Sequence, residues 1–420
     1  MIRSITIGIP IFNKSDNNIK EELIKFKEVV NNYSLKKNLS IRTMRLTLPP
    51  INSNNKVTAE MIYSIIQSTK KIADSIGVRW YCLPIDLFIE NNRKEILEEI
   101  QNLIIKDSRL FINLIVANKN SISIEGAELA SQFILNTARR SANGIDNFRV
   151  GTSASCEAGT PFFPFSRHEG KKTNFSIALE TTSIALKLAN KAYSNKWTLS
   201  EFHKTLVYEL SEVMINIDNF GKLIEDNTGL EYLGLDGSFA PFPDGETSVS
   251  KIIEALGPTP SGVYGSVFIT SILTDALKKA GKYSKARTIG FNGVMFSVLE
   301  DNGMANANNL KALTLEKLAL LSTVCGCGID MAPVPISMFQ EDISSLILDI
   351  STLAVKLNKP LGVRILPIPN KSVNEYTQLN LDFLCDSRVM DSGVSASKPM
   401  LFGKTWSYDN QILDKGNSND

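Results

Sequence analysis

Residues Met61–Leu83 read MIYSIIQSTKKIADSIGVRWYCL and hold a helix, its stop and a strand in direct succession. Met61, Ile62, Ile65, Ile66, Thr69, Ile72, Ala73 and Ile76 recur at intervals of three and four, which places them on one stripe of a helix over 58–76. Gly77 supplies the left-handed turn that ends it. The apolar run 78–84 that follows is short enough to be a buried strand. The same alternation extends in both directions. Residues 2–9, 39–48 and 110–116 read as strands, and 18–31, 93–106 and 125–142 as helices. Four successive β-α units imply a parallel sheet with right-handed crossovers and helices outside it.

A fifth strand, Phe148–Ser153, follows, and the pattern then breaks. Residues 154–173 form a loop rich in Phe, Pro and Gly, of the kind that closes over a site. The spacing predicts helices over 176–194 and 198–226, a strand entering an acidic loop over 230–247, and helices near 247–255 and 263–280. Alternation returns with 286–299 extended, 314–324 helical, 327–335 extended, 340–358 helical, 361–368 a strand and 379–384 extended. No linker interrupts the series. The expected fold class is α/β: one closed or nearly closed barrel domain over 1–412, with a helical insertion near 176–280 and a polar tail at 413–420.

Composition excludes several functions. In 420 residues, 45 basic and 44 acidic side chains leave a net charge of +1 with no basic block, so neither nucleic acid nor an anionic membrane is an expected partner. No apolar run approaches a membrane span, and a cytoplasmic location is expected. Five cysteines are an odd, sparse set and read as free thiols rather than a secreted disulfide framework.

Four motifs carry candidate chemistry. TPFFPFSRHEG (160–170) clusters Arg167, an anion binder, with His168, a general base, and Glu169, an acid; the alternative is a charged loop tip anchored by Phe162, Phe163 and Phe165. GLDGSFAPFPDGETS (234–248) places Asp236, Asp244 and Glu246 among hydroxyls, a hard-oxygen set for Mg or Ca, although Asp-Gly turns and helix capping account for most of it. GPTPSGVYGS (257–266) sets Ser261 and Gly262 before a helix, where bare N–H groups hold anions, without the spacing of a Walker loop. VCGCGID (324–330) joins a helix to a strand. Cys325 stands at the negative end of that helix, which leaves its thiol unactivated locally, and no second Cys or His pair completes a metal site. His203, within a helix, carries no assigned role.

Together, FRVGTSASCEAGTPFFPFSRHEG, EYLGLDGSFAPFPDGETSV, TIGFNGVMFSVLEDNGM, LEKLALLSTVCGCGIDMAPVP and VRILPI resemble a bacterial and archaeal family of unknown function named as pyruvate-formate-lyase-like proteins. That resemblance implies a barrel of about ten strands akin to glycyl radical enzymes, with His168, Glu180, Asp236, Asp301, Cys325, Asp330 and Arg364 as family-like polar positions. The chain ends in DSRVMDSGVSASKP rather than an Arg-Val-x-Gly-Tyr segment, so no radical is expected at Gly393. The expected function is a non-radical enzyme acting on a small polar or anionic metabolite. Cys325, His168 and Asp330 would be catalytic, and Arg167, Glu180, Asp236, Ser261, Gly262 and Arg364 would bind substrate. The alternative is a small-molecule-binding or regulatory protein without catalysis; a homo-oligomer is compatible with either. The histidine loop and the acidic loop are expected to face one cavity. Cys325 is expected to line it beside Arg364, with Cys327 as packing.

Overall fold

The computed structural model describes residues 1–10, 16–53, 57–90, 92–394 and 403–408. Its first strands are β1 (Ile2–Gly8), β2 (Ile41–Thr47), β3 (Trp80–Asp86), β4 (Leu110–Ala117), β5 (Ser121–Ser123) and β6 (Val150–Ala154). The later ones are β7 (Asn174–Leu179), β8 (Glu231–Asp236), β9 (Gly328–Pro335), β10 (Leu361–Ile368) and β11 (Thr405–Ser407). The helices of the first half are α1 (Asp16–Lys36), α2 (Ala59–Ser75), α3 (Arg93–Lys106) and α4 (Ile124–Arg140). Those that follow are α5 (Thr182–Ser194), α6 (Leu199–Thr228), α7 (Val249–Ala255), α8 (Ser266–Ser284), α9 (Asn302–Asn309), α10 (Leu315–Ser322) and α11 (Gln340–Lys356).

Local chemistry explains the boundaries. Thr58 caps α2 by accepting from Met61 N–H, and Ile62, Ile66, Thr69, Ile72 and Ala73 are its buried stripe, while Met61 at the first turn is exposed. Thr198 and Glu201 form a reciprocal capping box on α6, and Gly229 ends that helix in the left-handed conformation.

The main sheet has the order β8-β7-β1-β2-β3-β4-β6-β10-β9, with β5 joined to β4 and β11 to β5. The strands β1-β2-β3-β4-β6 are parallel, as the alternation predicts. The sheet as a whole is mixed, because β7 runs antiparallel to β1 and β10 antiparallel to β6. Its ladder is not closed: the path ends at β8 and β9. Between those ends lies 286–299, which contributes single bridges, Leu235–Thr288 and Phe239–Val294 on one side and Ser297–Asp330 on the other.

Three expectations change. Residues 174–179 are a strand, not the start of a helix; NFSIAL is a short apolar run whose periodicity does not separate the two. The stretch 176–280 is therefore no helical insertion, since β7 and β8 belong to the main sheet. Residues 379–384 form no strand. The polar tail 413–420 lies outside the described residues.

Successive right-handed crossovers put α1, α2, α3 and α4 side by side on one face of the sheet. That face is apolar: Ile5, Ile7, Leu46, Tyr81, Leu83, Ile112 and Leu114 join the main core. The opposite, inner face carries Ser4, Thr6, Thr47, Cys82 and Asn113 at alternating positions. A polar inner face is stable only if something hydrogen-bonds to it, and loop 160–168 lies there. Thr6 donates to the Pro161 carbonyl at 2.7 Å, the Cys82 thiol to Pro164 O at 3.2 Å, and Asn113 to Ser166 O at 3.3 Å. Phe165 fills the space left by two glycines, Gly151 and Gly362, where a Cβ would come within 2.8 and 2.3 Å of its ring.

Replacing Phe165 with Ala is expected to lower unfolding free energy by about 3–5 kcal/mol. Adding a side chain with Gly362→Val is expected to be at least as damaging. Urea denaturation of both variants checks this; an unchanged midpoint for either would show that the loop is not packed as described.

Candidate functional site

Loop 160–168 does not fill the inner face completely. Beside it remains a cavity of about 110 Å³ whose floor is the loop's own Phe162, Phe163 and Phe165. Trp80, Phe111 and Phe148 wall one side, and Pro241, Phe242 and Phe291 another. The two loops expected to converge do meet here, but through aromatic and proline side chains rather than through their charged ones.

Four arginines enter this apolar space. Arg3 sits where the β1–β7 register shifts, an irregularity of the kind that re-aims a side chain. Arg42 pairs with Glu180 at 2.9 Å and stacks 4.1 Å above the Phe242 ring. Glu180, on the last turn out of β7, is buried and also faces Arg3 at 3.8 Å. Arg364 forks onto Asp330 through Nε at 2.5 Å and Nη2 at 2.8 Å, and Nη2 also reaches Glu300 at 2.7 Å. The expected pairing of β10 beside β9 is present, with Arg364 opposite Asp330 in parallel register. The shift that follows leaves Met331 bulged at φ 47°.

Arg45 differs from the other three. It is 9% exposed and stacked between Trp80 and Phe163, at 5.3 and 5.2 Å. Its Nε donates to the Thr43 hydroxyl, and among the described residues it has no carboxylate partner. Burial, and then the charge of Arg3, pull its guanidinium down to about 9. Arg3 Nη1 likewise finds no hydrogen-bond acceptor. Opposite, two carboxylates share one arginine and are driven apart. Burial pushes Asp330 up against the pull of Arg364, whereas the charges of Arg364 and Arg3 outweigh burial at Glu300 and hold it low. Such a split distinguishes a proton donor from an acceptor.

The CGC turn reverses the expected assignment. Cys327 lines the cavity, and Cys325 is buried behind it. Cys327 S–H reaches the Gly328 carbonyl at 3.6 Å and lies beside the Cys325 sulfur, which receives Gly328 N–H at 3.4 Å. Arg364 is engaged by carboxylates; the cation at the thiol is Lys359, whose ammonium binds the terminal carbonyls of α10 at Ser322, Thr323 and Cys325. That contact answers the negative helix end. Burial raises the Cys325 thiol, and the Cys327 hydrogen bond and the Lys359 charge more than offset it, bringing it to about 6 while Cys327 moves up.

Other expected residues stand elsewhere. Arg167 pairs with Glu169 at 3.1 Å and lines no part of the cavity. His168 is buried against Gly8, where a Cβ would come within 2.3 Å of its Nδ1. Asp236 is fully buried and accepts from Ser238, Phe291 and Asn292, tying the end of β8 to the 290–293 turn. Asp244 accepts from Glu246 and Thr247 in its own turn. The expected Mg or Ca set therefore does not converge, and no cluster of three metal-binding side chains exists among the described residues. Asp301 caps α7 and α9 from one buried position. Ser261 N–H is taken by Glu254 and Gly262 N–H by Ser266, which leaves no anion cradle. Gly393 is exposed. Sequence reasoning missed Arg3, Arg42, Arg45 and Glu300. IRSITIG and IRTMRLT read as ordinary strands, and no local pattern in them marks these arginines.

A family model described as Uncharacterised ACR (DUF711) matches residues 1–380, a span that includes the four cavity arginines and both cavity carboxylates. A UPF0210 protein of Methanocaldococcus jannaschii is 30% identical over 291 residues, 67% of this chain and 62% of that protein. A UPF0210 protein of Methanopyrus kandleri is 26% identical over 426 residues, 96% and 92% of the two chains. One of Carboxydothermus hydrogenoformans is 25% identical over 401 residues, 90% and 87%. These names state no activity.

Burial pulls His168 down to about 4, from the ordinary 6.5 or so. Between those values the unfolded chain binds a proton that the folded one refuses, so stability is full above about pH 6.5 and falls as pH drops toward 4. The slope is about 1.4 kcal/mol per pH unit at most. His168→Gln is expected to flatten that limb, as read from urea midpoints at pH 7 and 4.5; a variant with the wild-type acid slope would show that the imidazole is not its source.

Proposed function

The chain belongs to the family described as Uncharacterised ACR (DUF711), and from its cavity we propose that this protein is a non-radical enzyme acting on a small anionic metabolite. The observation that carries this reading is Arg45, a buried guanidinium with two aromatic faces and, among the described residues, no carboxylate paired to it. An unpaired charge in an apolar cavity is costly. A carboxylate or phosphate ligand supplies the missing partner, and Arg3 Nη1 offers a second donor. The rings of Trp80, Phe163 and Phe242 suit a flat or apolar ligand body. Across the cavity, Asp330 with Glu300 would transfer a proton, and Arg364 would hold both in place. Glu180 positions Arg42 and does not itself meet the ligand.

The same reading takes 286–299 as the strand that completes a ten-stranded barrel akin to glycyl radical enzymes. Its bridges toward β8 and β9 support that closure. A cytoplasmic setting accords with five free thiols. No helix among the described residues is long and apolar enough to cross a membrane.

The test is Arg45→Met. Without ligand it is expected to raise unfolding free energy by about 1–3 kcal/mol, since an unsatisfied buried group is removed. It should also abolish stabilisation by inorganic phosphate or short dicarboxylates, which at a hundred times Kd amounts to about 2.7 kcal/mol in the wild type. A destabilised variant that still responds to anions would overturn the reading. Glu300→Gln separates enzyme from binding protein, because it should retain anion binding while losing turnover.

A further inference from the structure

The geometry points to a redox dithiol in the cavity wall: Cys327 meets a small hydroperoxide entering through the cavity, and Cys325 resolves the product into an intramolecular disulfide. The inference rests on the cavity being an open ligand site, and it adds a second chemistry to it.

Four observations support it. The thiols are arranged in depth, with Cys327 in the cavity wall and Cys325 buried behind it, and both sulfurs lie against the Gly328 carbonyl, at 3.6 and 4.0 Å. Both sulfurs already face backbone donors that stabilise a thiolate, Phe296 N–H on Cys327 at 3.3 Å and Gly328 N–H on Cys325 at 3.4 Å. The chain bends at 325–327, which draws residues two apart toward the Cα separation a disulfide needs. Gly326 between them packs backbone to backbone on Gly293, where a Cβ would approach Cα to 2.7 Å, so no side chain obstructs the turn. Cys82, Cys156 and Cys385 line no part of this cavity.

The steps balance as follows. Cys325, the more acidic thiol, first takes the proton from Cys327, and the Cys327 thiolate so formed attacks the terminal peroxide oxygen. The O–O bond breaks, and the leaving alkoxide takes the Cys325 proton and departs as an alcohol. Cys327 is now a sulfenic acid. The freed Cys325 thiolate attacks its sulfur, the S–O bond breaks, and hydroxide leaves as water with a proton from solvent. Two thiols are oxidised, and one hydroperoxide is reduced to an alcohol and water.

Lys317 and Lys356 bound a tryptic peptide containing only these two cysteines. After the full chain is treated with tert-butyl hydroperoxide, that peptide is expected to lose the mass of two hydrogens and regain it with dithiothreitol. Cys325→Ser should stop at a Cys327 sulfenic acid trapped by dimedone. Cys327→Ser should slow oxidation of Cys325 by about tenfold or more, since the inner sulfur has no access of its own. Circular dichroism confirms that both variants fold. The proposal is overturned if Cys82, Cys156 or Cys385 oxidises as fast, or if Cys327→Ser leaves the Cys325 rate unchanged. A parallel arm with inorganic phosphate keeps the two readings apart. Protection in the wild type, lost in Arg45→Met, joins the dithiol to the anion site; disulfide formation indifferent to phosphate removes the anion reading and leaves the dithiol standing.

Discussion

The structure depends on a peptide loop hydrogen-bonded to the wrong side of a sheet. In an ordinary α/β layer both faces are covered by helices and both are apolar. Here the inner face carries serine, threonine, cysteine and asparagine, and the carbonyls of Pro161, Pro164 and Ser166 accept from Ser4, Thr6, Cys82 and Asn113. A buried loop is normally excluded by its unpaired backbone groups, and this one is admitted because the strands supply donors at each carbonyl. Its phenylalanines then form an apolar floor on what would otherwise be a polar surface.

That floor sets the electrostatics of everything above it. Guanidinium groups on a wet strand face would be screened, whereas between rings they are desolvated and must find partners. Three of the four do so by different means: Arg42 through Glu180, Arg3 weakly through the same carboxylate, and Arg364 through Asp330 and Glu300. The fourth, Arg45, has stacking and one hydrogen bond to the Thr43 hydroxyl but, among the described residues, no carboxylate partner. The cavity is thus an ion-pair network with one charge unmatched, a state that a purely structural network has no reason to keep.

The sequence shows some of this and conceals the rest for identifiable reasons. Periodicity revealed β1 to β4 and their helices because each strand there follows a well-marked stripe and stop. It failed at β7, where the six residues NFSIAL, four of them apolar, run toward a helix without a Gly or Pro break. The TPFFPFSRHEG loop was visible as a functional stretch, but its charged residues drew attention from its phenylalanines, which are what reach the cavity. Asp330 and Arg364 were both legible, as neighbours on parallel strands in the same register. Arg45 was not: IRTMRLT reads as an ordinary strand, and only the ring stacking on both sides sets that arginine apart. Cys325 and Cys327 exchanged places because alternation does not hold across a glycine turn, so nothing local says which sulfur faces the ligand.

Strand order also dictates an order of assembly. β2, β3 and β4 each pair with the strand made before them, β6 pairs with β4, and the aromatic loop follows at once, so the first half of the sheet and its floor can form while synthesis continues. The strands bearing Asp330 and Arg364, and the segment bearing Glu300, come far later. Until then Arg3, Arg42 and Arg45 stand on a half-built face without the acidic wall. A nascent chain in that state presents concentrated positive charge where most unfinished sheets present bare hydrocarbon. Repulsion between such faces would keep early intermediates from pairing with one another, and the acidic wall, arriving last, would then draw the two halves together.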